Sequence, residues 1–208
     1  MSRSVITVAR MTPGVIKYAG CMARWQPDAR GRLVQAALTL YDERGFDSTT
    51  VAEIAERAGL TKRTFFRYFT DKREVLFWGS EALEELFVTE VGAAPESAAP
   101  LEAVAAALDA AAGIFEQRRE FAARRQQIIA ANPELQEREL IKLASLAGAV
   151  AEALRRRRVG DPAAILTAEA GITVFRVAFE RWVDRANRKN LKRLIRESLK
   201  ELRAITVA

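Results

Sequence analysis

The segment Thr50 to Leu76, TVAEIAERAGLTKRTFFRYFTDKREVL, constrains this chain more tightly than any other. Thr50-Val51-Ala52-Glu53 has the form of a capping box, in which the threonine hydroxyl accepts from the Glu53 amide and the glutamate reaches back to the Thr50 N–H. Ile54, Ala55 and Ala58 then fall on one helical face, and Gly59 stands where the helix must stop, because glycine enters positive φ without a Cβ clash. Thr61 caps a second helix, on which Phe65 and Phe69 lie four apart and face inward with Leu60. Lys62, Arg63, Phe66 and Arg67 are left outward. Arg63 and Arg67 are like charges at i and i+4, an arrangement that phosphates would relieve. The spacing predicts a helix-turn-helix whose second helix suits the major groove, where lysine and arginine donate to guanine O6 and N7 and a ring presses on sugars or a thymine methyl. A basic cluster alone would mark only a solvated helix face. The caps, the Gly turn and the aromatic spacing together argue against that.

The first helix is expected from Pro27 or Asp28 to Arg44, with Leu33, Ala36, Ala37, Leu40 and Tyr41 as its apolar stripe, Gly45 as its stop and Phe46 as a plug for the core. A linking helix is expected from Asp71 or Lys72 to Gly92, carrying Val75, Leu76, Leu83, Leu86 and Phe87. Beyond the Ala-, Pro- and Ser-rich residues 92–100 there is no strand alternation. Pro and Gly punctuation predicts helices over Leu101–Gln117, Arg119–Ala131, Pro133–Arg158, Pro162–Arg185 and Asn190–Ile205. The fold class is therefore all-α: residues 22–78 as an N-terminal three-helix DNA-binding domain and residues 79–208 as a helical C-terminal domain.

The N-terminal pattern resembles the TetR family of bacterial transcriptional repressors, whose signature runs T-x-x-x-I-A-x-x-A-G-V-[ST]-x-x-T-[LF]-Y-x-[HY]-F-x-x-K-x-x-L. Thr50, Ile54, Ala55, Ala58, Gly59, Thr61, Thr64, Phe65, Tyr68, Phe69, Lys72 and Leu76 match as they stand. The resemblance implies that Thr50, Thr61, Tyr68 and Lys72 touch phosphates, which position the protein without specifying sequence. It implies that Lys62, Arg63, Thr64, Phe66 and Arg67 face the groove and include the base readers. Phe66 departs from the family's usual Tyr, whose hydroxyl often meets a phosphate. The resemblance further implies a homodimer on near-palindromic double-stranded DNA, with Ile165 through Trp182 and Leu191 through Ile205 at the interface, and release by a small-molecule effector held between the middle helices. Candidate lining residues are Phe115, Phe121, Phe175, Phe179 and Trp182, with Arg118, Arg125 and Arg176 as anion anchors; taken singly, each aromatic reads first as ordinary core. Leu191, Leu194, Ile195, Leu199, Leu202 and Ile205 form a stripe wide enough for more than one neighbour, although a tail helix can also pack only on its own body.

Composition agrees and excludes alternatives. The net charge of +6 and pI of 9.8 favour an anionic partner. The chain has no histidine and one cysteine, Cys21, which removes His-based triads, His metal sites and thiolate clusters; no catalytic residue, metal or cofactor is expected. An enzyme on the helical body and an effector-free architectural DNA binder are the rival readings. No stretch approaches the apolar length of a spanning helix and residues 1–21 lack a secretory pattern, so a cytoplasmic location with no membrane partner is expected. Residues 1–21 read as a disordered extension: either a basic arm for the minor groove or sequence ahead of a start at Met22. Arg155 to Arg158 and the cations from Arg188 to Arg196 read as solvated helix ends or as a second anionic contact.

Overall fold

The computed structural model describes residues 29–206, and the expectations for residues 1–21, Cys21 and the first turn at Pro27 lie outside them. Every regular element among the described residues is helical, with no strand. The head consists of α1 (Ala29–Arg44), α2 (Val51–Arg57) and α3 (Lys62–Tyr68). The stripe expected on α1 is buried, and Phe46 joins it from the loop that follows Gly45. Phe65 is fully buried beneath α2 and each such ring contributes about 1.5–3 kcal/mol by leaving water. A 3₁₀ turn, Glu74–Phe77, closes the head by burying Val75, Leu76 and Phe77.

The linking helix differs from its expectation. It is interrupted after the 3₁₀ turn and restarts as α4 (Ser80–Ala93), with Trp78 extended and Gly79 at φ 98°, a left-handed conformation that costs glycine little. The Ser80 hydroxyl donates to the Phe77 carbonyl at 2.7 Å and secures the break. Helical spacing on both sides of Gly79 hid the interruption.

The body follows as α5 (Pro100–Phe115), a 3₁₀ joint (Glu116–Arg118), α6 (Arg119–Ala130), α7 (Pro133–Arg156), α8 (Asp161–Val183) and α9 (Leu191–Thr206). Helix α8 is the central member, packing against α5, α6, α7 and α9. By length and composition α8 is apolar enough to cross a membrane, contrary to the expectation that no stretch comes close; nearly half of its apolar window is core of this body. The stripe on α9 is absorbed by its own chain. Leu191, Leu194, Ile195 and Leu199 are buried, Leu202 is half-buried, and Ile205 alone of the stripe is exposed.

The basic runs have local partners. Arg155 pairs with Asp161 and Glu152, Arg156 with Glu152, and Arg157 donates to the Ala94 and Pro95 carbonyls. Lys189 and Arg193 pair with Glu197, and Lys192 and Arg196 with Asp109 of α5. These contacts match the reading of the runs as helix ends.

Head and body share a core. Ile128 and Ile129 of α6 and Leu135 of α7 are buried in the same cluster as Leu33, Phe65 and Phe77. Packing therefore crosses the boundary that composition suggests near residue 78.

Candidate nucleic-acid interface and ligand cavity

The capping box forms as its sequence requires. Thr50 donates its N–H to Glu53 Oε2 at 2.8 Å, and the Glu53 N–H donates to Thr50 Oγ1 at 3.3 Å. The Thr50 N–H, then its hydroxyl, and Arg44 hold the Glu53 carboxyl below the ordinary glutamate range. At the turn, Gly59 at φ 65° lets the Leu60 N–H reach back to the Ala55 carbonyl at 2.8 Å. Thr61 caps α3 by accepting from the Thr64 N–H at 3.1 Å, and its hydroxyl lies 3.0 Å from that of Thr64. Two exposed ion pairs, Arg44–Glu53 and Arg57–Glu43, join α2 to α1.

Helix α3 turns Phe65 and Phe69 inward, ring centroids 5.6 Å apart, and leaves Lys62, Arg63, Phe66 and Arg67 exposed. Phe66 is 56% exposed, a large ring left in water at the centre of a basic face. Thr50 and Thr61 are exposed at the two helix starts, and Thr64 and Tyr68 are half-buried. Tyr68 lies between two guanidinium groups: Arg67 is 4.8 Å from its ring centre and donates to its hydroxyl at 2.9 Å, and Arg30 of α1 is 5.3 Å from the ring. Arg30 was missed in the sequence, because nothing local relates it to a tyrosine 38 positions later. Lys72 is set apart from the basic face, with its ammonium on the Phe46, Asp47 and Thr49 carbonyls.

Between the 3₁₀ turn, α4 and the middle of the body lies a cavity of about 750 Å³. Phe115, Phe121, Phe175 and Phe179 line it together with Arg118, Arg125 and Arg176, so seven of the eight candidates meet at one site. Trp182 does not. It lies one helical turn beyond Phe179, 98% buried with ring centroids 5.5 Å apart, and belongs to the core. The rings of Phe87, Phe115, Phe175 and Phe179 form a continuous cluster with centroids 5.4–6.3 Å apart.

A model of bacterial regulatory proteins of the TetR family matches residues 33–77, and a model of the MftR C-terminal domain matches residues 98–206. The chain belongs to the TetR family. The transcriptional regulator TcmR of Streptomyces glaucescens is 37% identical over 84 residues, which is 40% of this chain and 37% of that protein. RutR of Escherichia coli K12 is 29% identical over 94 residues, 45% of this chain and 44% of that protein. The chain thus aligns with less than half the length of these curated relatives. Among solved structures, SmeT, the repressor of the Stenotrophomonas maltophilia multidrug efflux pump SmeDEF, superposes with a TM-score of 0.54 at 20% identity, covering 85% of this chain and 89% of that one. The Thermus thermophilus TetR-family repressor FadR, in complex with lauroyl-CoA, gives 0.53 at 25% identity, covering 83% and 92%. This is a family of transcriptional regulators, not of enzymes.

In this TetR-family chain, part of the cavity wall also holds the head. Arg125 donates to the Leu76 carbonyl at 2.7 Å and to Glu139 at 2.9 Å, and its guanidinium lies 5.1 Å from the Phe77 ring centre. Burial lowers the affinity of Arg125 for its proton, with Glu139 opposing. Glu74 pairs with Arg138 at 2.6 Å and Lys142 at 3.2 Å, and Arg124 of α6 pairs with Asp42 of α1. Arg125 is thus already engaged, and Arg176 pairs with Glu180 at 3.4 Å. Glu74, Glu139 and Lys142 were missed because their partners lie on other elements. Burial also weakens the hold of Arg118 on its proton.

Proposed function

We propose that this chain is a homodimeric repressor that binds a near-palindromic operator and leaves it when a small molecule occupies the cavity. The observation that carries the reading is the coincidence of an aromatic-lined cavity with residues that tether the head. A ligand that prefers a different spacing of α4, α6 and α7 would tilt the head through Glu74, Leu76 and Arg125, and coupling requires only that preference. On the DNA side, Thr50, Thr61 and Tyr68 hold phosphates, while Lys62, Arg63, Thr64, Phe66 and Arg67 face the major groove. Phe66, lacking a hydroxyl, presses on sugar or a thymine methyl instead of donating to a phosphate.

The effector best suited to this lining has a long apolar body, for the four phenylalanines, and an acidic end for the arginines of the wall. The lauroyl-CoA complex of the Thermus thermophilus neighbour supports an acyl compound as the first to test. For the dimer, the apolar side chains exposed on α8 are Ile165, Leu166 and Val177, whereas α9 turns Arg193, Arg196, Lys200 and Arg203 outward. We place the dimer contact chiefly on α8, with Ile205 at its edge. The protein acts in the cytoplasm, where its DNA is.

The test is selection of bound duplexes from a random pool by the full chain, followed by sedimentation of the complex and titration with acyl compounds. Two chains on an inverted repeat, dissociating as ligand is added, is the expected result. One chain per site would refute the dimer. Binding that no acyl compound or cell metabolite extract reverses would refute effector release and favour an architectural DNA binder.

A further inference from the structure

Tyr68 is the last residue of α3, and arginines from two different helices meet on it. The guanidinium of Arg67 lies 4.8 Å from the ring centre and donates to the phenol oxygen at 2.9 Å, while that of Arg30, in the first turn of α1, lies 5.3 Å from the same centre. The two positive charges are therefore at most about 10 Å apart. That is close to the screening length of about 8 Å at physiological salt, so one anion at the phenol feels both. No carboxylate among the described residues pairs with either, whereas Arg44, Arg57 and Arg73 of the same head each pair with one.

Stacking on the ring places both guanidinium groups before any ligand arrives, so less side-chain freedom is lost on binding. The phenol supplies a further donor. A tyrosine hydroxyl accepts and donates at once; accepting from Arg67, it keeps its O–H for an oxygen that only accepts. A phosphodiester offers such an oxygen with the matching charge, and guanidinium–phosphate hydrogen bonds are among the strong ones.

We propose that Arg30, Arg67 and Tyr68 form a single phosphate clamp where α3 ends. Arg30 is then a DNA contact outside the helix-turn-helix, and Arg67 serves the strand. The cationic readout of bases is left to Lys62 and Arg63, which are exposed and have no ring or carboxylate partner among the described residues. The inference rests on the DNA-binding reading above, and binding by the parent chain separates the two.

The test measures binding of the full chain to a selected operator and to a random-sequence duplex of equal length, over a range of salt. Arg30→Met and Arg67→Met should each weaken both complexes by the same factor, roughly tenfold, and flatten the dependence of log affinity on log salt by about one per subunit. Arg30→Lys, which restores the charge, should restore the slope. Unchanged affinity and slope in Arg30→Met would remove Arg30 from the interface, and a loss by Arg67→Met on the operator alone would return Arg67 to the bases; either result overturns the clamp. If the parent chain binds neither duplex, the DNA-binding reading itself has failed, and the clamp with it. Should Arg30→Met not fold, phenylglyoxal modification of the native chain decides. The random duplex should protect Arg30 and Arg67 but not the exposed Arg203 of α9, and an Arg30 equally reactive with and without DNA overturns the proposal.

Discussion

Gly171 sets α8 directly against Val104 of α5, and replacing it with alanine tests that packing. A Cβ added there would lie 2.4 Å from Val104 Cγ1, far inside van der Waals contact, and Val104 is itself fully buried. Valine in a helix holds one strongly preferred χ1, so its methyl cannot swing aside without an unfavourable rotamer or a shift of α5. Overpacking of this kind costs about 1–3 kcal/mol. Alanine in place of glycine within a helix returns about 1 kcal/mol of propensity. The net expectation for Gly171→Ala is a loss of about 1–2 kcal/mol, since the overlap is severe and the neighbour is stiff. Urea unfolding at fixed protein concentration measures it, because association otherwise shifts the midpoint. The double variant Gly171→Ala with Val104→Ala supplies the control. The new methyl fills space left by the valine, so the pair should be more stable than the two single losses added together by about 1–2 kcal/mol. A Gly171→Ala protein as stable as the parent, or strictly additive singles, would show that α5 and α8 are not in close contact.

Arg158, at φ 65°, ends α7 in the left-handed region, so Arg158→Gly should raise stability by about 1 kcal/mol; a loss in the same unfolding assay would mean its side chain holds more than its backbone strains. Lys62→Ala should weaken binding to a selected operator by roughly 1–3 kcal/mol and to random DNA hardly at all, and equal losses on both would move Lys62 from base reading to the backbone. Glu53 has a lowered folded pKa, caused first by the Thr50 N–H, so the stability it adds is complete above the ordinary glutamate value and disappears only as pH falls through the lowered folded value. An NMR titration should therefore show the Glu53 carboxylate and the Thr50 amide changing together, below the pH at which free glutamate titrates. Titration at or above the ordinary value would contradict the capping box.

The head was legible because its determinants are local. The caps at Thr50 and Thr61 act within three residues, the turn at Gly59 within five, and the inward pair Phe65 and Phe69 within one helical turn. Legibility failed first in the linking segment, where Val75, Leu76, Leu83 and Leu86 keep helical spacing across the break at Trp78 and Gly79. The Gly-Ser pair was the available signal. It failed again at Trp182, which shares the inward face of α8 with Phe175 and Phe179 but lies past the end of the cavity. Periodicity reports which face is buried, not what it is buried against.

By itself, the amino-acid sequence determined the all-α class, the helix-turn-helix and the outward residues of α3, since interactions between residues a few positions apart survive in any context. Only the tertiary structure decided that Lys72 turns inward, that Arg30 joins Arg67 on Tyr68, that Arg125 is spent on Leu76 and Glu139, and that the α9 stripe is covered by its own body. Those outcomes depend on partners far along the chain, 14 and 49 positions away for Arg125 with Glu139 and with Leu76. Such pairs are created when helices pack, so their physics lies in the shared core of head and body and not in the local pattern of either.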